Sequence, residues 1–163
     1  MSNQSTGSTV QSFEEKILNC LKGELKQTAL SFADYLRENQ LATLPDTYES
    51  TCCKIPFNGK NLCKVWIHPN EIQFHFWFGD YSGEFDEGFK TAVQERLGFC
   101  DVCHEGCTGP FDVPVFEKDF KNVCSQHTVV FTNPDAKTLE YVKTMMEYSK
   151  KIVPDSVSYH ASH

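Results

Sequence analysis

Four of the eight cysteines in this chain sit where a metal-binding loop would put them: Cys100, Cys103 and Cys107 in the run Cys-Asp-Val-Cys-His-Glu-Gly-Cys, and Cys124 beyond a Val113–Phe116 segment. Two thiolates in a CxxC pair wrap a tight turn around one tetrahedral ion, and two further ligands close the sphere. Four cysteine ligands leave no position for water or substrate, so the chemistry expected is structural zinc binding. Gly106 and Gly109 let the backbone bend close to the ion. The pattern departs from a standard finger because its second half-site is a single Cys, and His104 or His127 can replace one of the four. An iron–sulfur cluster also uses thiolates but ranks below zinc, since no ferredoxin-like run is present. The competing chemistry is a reactive thiol within Cys100–Cys107. A redox pair at Cys100 and Cys103 is disfavoured, because the motif follows the C-terminal end of an expected helix, where the dipole opposes a thiolate.

A second candidate is aromatic. Trp66, His68, His75 and Trp77 share one face of an expected antiparallel meander, the kind of wall with a few polar groups that lines a ligand cleft. Glu71, Gln73 and Tyr81 are its expected polar rim. The bland alternative is that these rings pack under a helix, or form a homodimer interface. His68 and His75 do not fall opposite each other, which argues against a two-histidine metal site. The remaining cysteines, Cys20, Cys52, Cys53 and Cys63, read as small packing residues; with a one-residue bulge Cys53 faces Cys63, and without it Lys54 does. The acidic run Glu84, Asp86, Glu87 reads as charge favoured at a helix N-terminus. No phosphate-cradling glycine loop, GxSxG elbow or HExxH helix occurs, so nothing requires an enzyme.

The elements that position these groups follow from periodicity. Ser12 and Glu15 have capping-box spacing, and Phe13, Ile17, Leu21, Leu25, Phe32 and Leu36 then predict one long helix, Phe13 to Asn39, tolerating Gly23 at a cost of about 1 kcal/mol. Thr51–Phe57, the turn Asn58-Gly59, Leu62–His68, the turn Pro69-Asn70 and the strict alternation from Ile72 to Phe78 predict a three-stranded meander, with Val65 opposite Phe74 and Ile67 opposite Ile72. Phe85–Leu97 reads as a second helix stopped by Gly98, Val113–Phe116 and Thr128–Thr132 as short strands, the first on an edge because of Pro114. Asn133-Pro134 reads as N-cap and first turn of a last helix with core stripe Leu139, Val142, Met146 and Ile152. The expected fold is α+β, an antiparallel sheet of about five strands against three helices. Residues 12–153 form one domain with a cysteine loop at 98–124, between a disordered tail at 1–11 and a mobile one at 154–163.

Composition bounds the partners. With 22 Asp and Glu against 15 Lys and Arg, the net charge of -7 lacks the basic footprint that nucleic-acid phosphates require. No long apolar run spans a membrane, and Met1–Gln11 lacks the basic and apolar regions of a secretory signal, so a cytoplasmic protein in a reducing compartment is expected. There, clustered cysteines serve metals or redox chemistry rather than structural disulfides. A small molecule or a protein is the expected partner.

The run from Gly98 through Cys107, then Val123-Cys124, a short strand and Asn133-Pro134-Asp135 resembles small bacterial cysteine-rich proteins of unknown function. The preceding sheet-and-helix segment is similar to small α/β domains, also of unknown function, with a three-stranded sheet backed by helices. The resemblance implies a bacterial, cytosolic protein that uses its cysteine cluster as a unit, and it brings no activity.

Overall fold

The computed structural model describes residues 11–77, 81–100, 110–124 and 128–152. The tails, the cysteine loop 101–109 and residues 78–80 and 125–127 lie outside the described residues. Four helices pack on an antiparallel sheet, giving the α+β class. The elements in order are α1 (Phe13–Cys20), α2 (Gly23–Glu38), β1 (Leu44–Pro45), β2 (Cys52–Phe57), β3 (Lys60–His68), β4 (Glu71–Phe76), α3 (Glu87–Gln94), β5 (Phe111–Val115), β6 (Lys118–Val123), β7 (Val129–Thr132) and α4 (Ala136–Lys151). One sheet runs β1-β2-β3-β4-β7; β5 and β6 pair as a hairpin of their own. Among the described residues no helix is long and apolar enough to cross a membrane.

The first helix begins as its cap predicts: Ser12 Oγ accepts from Glu15 N–H at 3.2 Å, and Glu15 Oε2 accepts from Ser12 N–H at 2.9 Å. It does not continue to Asn39. Leu21 and Lys22 are extended and Gly23 has φ +57°, so the chain turns and restarts as α2. A left-handed residue cannot continue a right-handed helix, and glycine is the residue for which that break costs least. Both halves keep their apolar stripes, burying Phe13, Ile17 and Leu21, then Ala29, Phe32, Ala33 and Leu36.

The meander has the expected register, Val65 opposite Phe74 and Ile67 opposite Ile72. Asn58 and Gly59 both have positive φ, 47° and 79°, as a type I′ turn requires. The bulge lies on β3 rather than on β2: Leu62 is the extra residue, so Cys63 pairs with Ile55, and Cys53 with Val65. The expected Cys53–Cys63 and Lys54–Cys63 pairings are therefore both absent.

The hairpin β5–β6 corrects the C-terminal half. Only one strand, Val113–Phe116, was expected here, because the turn joining β5 to β6 carries no glycine or asparagine. Phe116 and Glu117 occupy it with φ 45° and 68°. Left-handed backbone costs about 1–2 kcal/mol per ordinary residue. Phe116 offsets this by burying its ring among Tyr81, Phe85 and Phe89, at centroid distances of 6.0, 5.4 and 5.9 Å.

α3 is shorter than expected at both ends. Asp86 is its N-cap, accepting from Phe89 N–H at 2.9 Å, and the helix stops at Gln94. Gly98 is not its stop signal; it belongs to an extended segment. The last helix is capped by Asp135, not Asn133, whose φ is 46°. Asn133 instead closes the β4–β7 ladder: its N–H donates to Ile72 O, and its Oδ1 accepts from Ile72 N–H. Met145 joins Leu139, Val142 and Met146 in the α4 core stripe, while Ile152 is only half-buried at the C-cap.

All four helices contribute to one core with a single face of the five-stranded sheet, including Val65, Ile67, Ile72, Phe74, Phe76 and Phe131. The ring of Phe32 stands edge-on to Phe74 at 4.8 Å. The alternate residues of β3 and β4 are half-buried and outside that core.

Candidate functional site: two cysteines and an aromatic sheet face

Of the four expected metal ligands, Cys100 and Cys124 are described; Cys103 and Cys107, with His104 and His127, lie outside the described residues. The backbone segments that carry these two cysteines pair with each other. After α3 and a turn at Glu95 and Arg96, the chain runs extended through 97–100. Leu97 bridges Val129 on β7, and Phe99 bridges Val123 at the end of β6, both antiparallel. Cys100 N–H donates to Asn122 O at 2.9 Å, and Cys124 N–H donates to Gly98 O at 2.8 Å.

With Phe99 opposite Val123, Cys100 lies opposite Asn122 and Gly98 opposite Cys124. Cys100 and Cys124 are thus diagonal neighbours on one side of the pair, where Cα atoms stand about 7–8 Å apart and Cβ atoms somewhat closer. A tetrahedral zinc with bonds of about 2.3 Å holds two sulfurs about 3.8 Å apart, within reach of that diagonal. Gly98 places no side chain between them. Both cysteines are half-buried. Among the described residues no three His, Cys, Asp or Glu side chains converge as a metal site.

The aromatic face is real as a face but does not gather all four expected residues. Trp66 and His75 meet, their rings 4.2 Å apart, and the Lys64 ammonium lies 5.6 Å from the Trp66 ring. Trp66 Nε1–H donates to Glu49 Oε2 at 2.6 Å. Gln73 bridges its neighbours, its Oε1 2.9 Å from His75 Nε2 and its amide donating to Glu71 Oε1 at 2.9 Å. His68 is at the far end, opposite Glu71. Trp77 follows the end of β4, well along the strand from Trp66. Tyr81 is not on the rim: it is buried on the helix side, stacked on Tyr148 at 5.9 Å, and its hydroxyl donates to Trp77 O at 2.7 Å.

The segment 41–50, expected only to link elements, supplies groups the sequence did not flag. Asp46 accepts from Lys54 at 3.1 Å and lies 3.8 Å from Lys64, and its carboxyl is held below the usual range by the Tyr48 N–H and these ammonium groups. Nothing in the spacing of Asp46 or Glu49 marks them, because their partners come from strands paired across the hairpin. Cys52 is buried beneath this connector, and burial, then the Asp46 charge, pushes its thiol up to about 11. Burial also raises Cys53 and Cys63. Lys16, core-facing on α1, donates to Ser50 O at 2.8 Å and to Cys53 Sγ at 3.6 Å. These three thiols are protonated packing residues, as their positions predicted. Cys20 packs half-buried against the core.

The surface also carries two open grooves of about 490 and 440 Å³, one along Glu95–Gly98 and β7, the other between α3 and α4. Neither is lined by Trp66 or His75. No family model matches the chain, and no curated protein or solved structure matches it.

Proposed function

We propose that this is a binding module clamped by a structural zinc ion, with Cys100, Cys103, Cys107 and Cys124 as ligands and the sheet face around Trp66 and His75 as the recognition surface for a small molecule or a protein. The observation that carries the reading is the Phe99–Val123 pairing, which sets Cys100 and Cys124 on one side with side-chain-free Gly98 between the strands. The ends of the cysteine loop thereby start and finish on paired backbone segments, which supports a shared ligand role for Cys100 and Cys124. The recognition half is supported by the packing of the described helices on the other face of the sheet, with an indole, an imidazole and several charged groups gathered on this one. A thiolate–metal site and a cytoplasmic protein are consistent with each other, since thiols persist in reducing compartments.

The test is elemental analysis of the full chain purified under reducing conditions without chelator, with native thiols counted before and after chelation. About one zinc per chain, with four thiols released only by chelator, is expected. Absence of metal together with a fast-reacting thiol among Cys100, Cys103 and Cys107 would overturn the reading in favour of thiol chemistry.

A further inference from the structure

The sheet face that carries Trp66 and His75 continues onto β7. Gln73 pairs with Thr132 and His75 with Val130, and residues directly opposite in an antiparallel ladder share a face. Val130 and Thr132, with Leu97 and Gly98, line the open groove of about 490 Å³. The row Trp66, Gln73, Thr132 therefore leads from the indole to that groove across two interstrand spacings, about 10 Å. Gln73 lies between them, its side chain committed along β4 to Glu71 and His75.

At the indole end the donors meet the chain's own acids. Glu49 is exposed, and its Oε2 accepts from Trp66 Nε1–H at 2.6 Å. Lys64 stands beside the indole, its ammonium 5.6 Å from the ring centroid. Its ion pair with Asp46 is long, 3.8 Å, while that carboxylate takes Lys54 at 3.1 Å and the Tyr48 N–H at 2.9 Å. The two acids differ in kind. Asp46 has a side chain only 7% exposed and is part of the fold, whereas Glu49 makes an exposed bond for which water competes. Another carboxylate replaces Glu49 there at small net cost.

We infer that Glu49 is a built-in stand-in for a ligand carboxylate, and that this face binds a small organic acid, its carboxylate on Trp66 Nε1–H beside the Lys64 ammonium and its apolar body crossing Gln73 toward Val130. The inference rests on the recognition reading above and names its ligand class. Charge complementarity selects an acid, because an indole N–H and an ammonium both donate to an anion and a ligand amine would meet Lys64 as a like charge. The groove selects a small molecule, its volume lying in the range of ligand sites. Displacing the Glu49 side chain leaves its backbone in place, since Cys52 N–H still donates to Glu49 O.

The chain has two tryptophans, so two indole N–H signals in its NMR spectrum, and Trp77→Phe assigns that of Trp66. The probes are 4-phenylbutanoate and its uncharged amide, titrated into the full chain, into Glu49→Ala, and into Glu49→Ala with Lys64→Gln. Glu49→Gln, which keeps the shape and removes the charge, is the second variant, and urea unfolding checks that each one folds. A site left open about one-tenth of the time binds about tenfold more weakly than the open site. The acid is expected to shift the Trp66 signal, to bind Glu49→Ala about tenfold more tightly than wild type, to bind Glu49→Gln more tightly as well, and to lose the gain when Lys64→Gln is added; the amide should shift nothing. Equal affinity for wild type and both Glu49 variants, or a gain that survives Lys64→Gln, overturns the inference. Equal shifts by the amide also overturn it, while the recognition reading stands, because the face then binds a neutral ligand. If neither probe shifts the Trp66 signal in any variant, the inference and a small-molecule role for the face both fail.

Discussion

Phe74 and Trp66 occupy adjacent strands of the same sheet but opposite faces, so truncating each one measures whether the sheet is covered on one side only. Phe74 is fully buried between Val65 and Phe131 and edge-on to Phe32 of α2. Phe74→Ala should cost about 3–5 kcal/mol, and loss of the aromatic pair places it in the upper half of that range. Trp66→Ala removes the hydrogen bond to Glu49, the His75 ring contact and the Lys64 ammonium over the indole, all on a partly exposed face. These three contacts sum to about 2–4 kcal/mol. At about 2–4 °C per kcal/mol for a chain of this size, Phe74→Ala should melt about 8–20 °C below wild type and Trp66→Ala about 4–16 °C below. Urea unfolding with a common m-value gives the same comparison isothermally. Equal losses would refute the reasoning, because they would mean that the indole is buried as deeply as Phe74 and that no face is left for recognition.

Three further outcomes follow from individual contacts. The Cys52 thiol is raised from 9.0 to about 11, so the folded state keeps a proton that the unfolded chain releases; its contribution is complete below pH 9 and is lost as pH rises toward 11. That amounts to about 2–3 kcal/mol, and Cys52→Ala should flatten the alkaline fall in urea-derived stability, Cys53 and Cys63 accounting for what remains. Lys60 donates to Ser149 O and Ile152 O at the C-terminal end of α4, so Lys60→Met should cost about 2 kcal/mol and fray that end, read by amide exchange at 148–152. Gly59 has φ +79° and open space where a Cβ would go, so Gly59→Ala should cost about 1–2 kcal/mol through backbone strain alone, seen as a shifted urea midpoint with unchanged m.

The meander was legible because each of its signals is local. Alternation from Ile72 fixes which side chains face the core, and Asn58-Gly59 fixes the turn, so Val65–Phe74 and Ile67–Ile72 follow without tertiary information. The single helix to Asn39 was misread because apolar spacing continues across a break made by extended Leu21 and Lys22 and left-handed Gly23. β6 was missed because its turn uses Phe116 and Glu117 in left-handed backbone, a conformation stabilised by ring packing from residues far away in sequence.

The same division holds for the candidate site. Residue type and spacing alone suggested Cys100, Cys103, Cys107 and Cys124 as one group, and alternation alone put Trp66 and His75 on one face. Only the tertiary structure decided that Cys100 and Cys124 flank one short pairing, and that Trp66 reaches Glu49 while Tyr81 turns into the core. Spacing along a chain constrains what neighbours can do, whereas which distant strands meet is settled by burying one continuous apolar face, a property of the whole sheet and its helices.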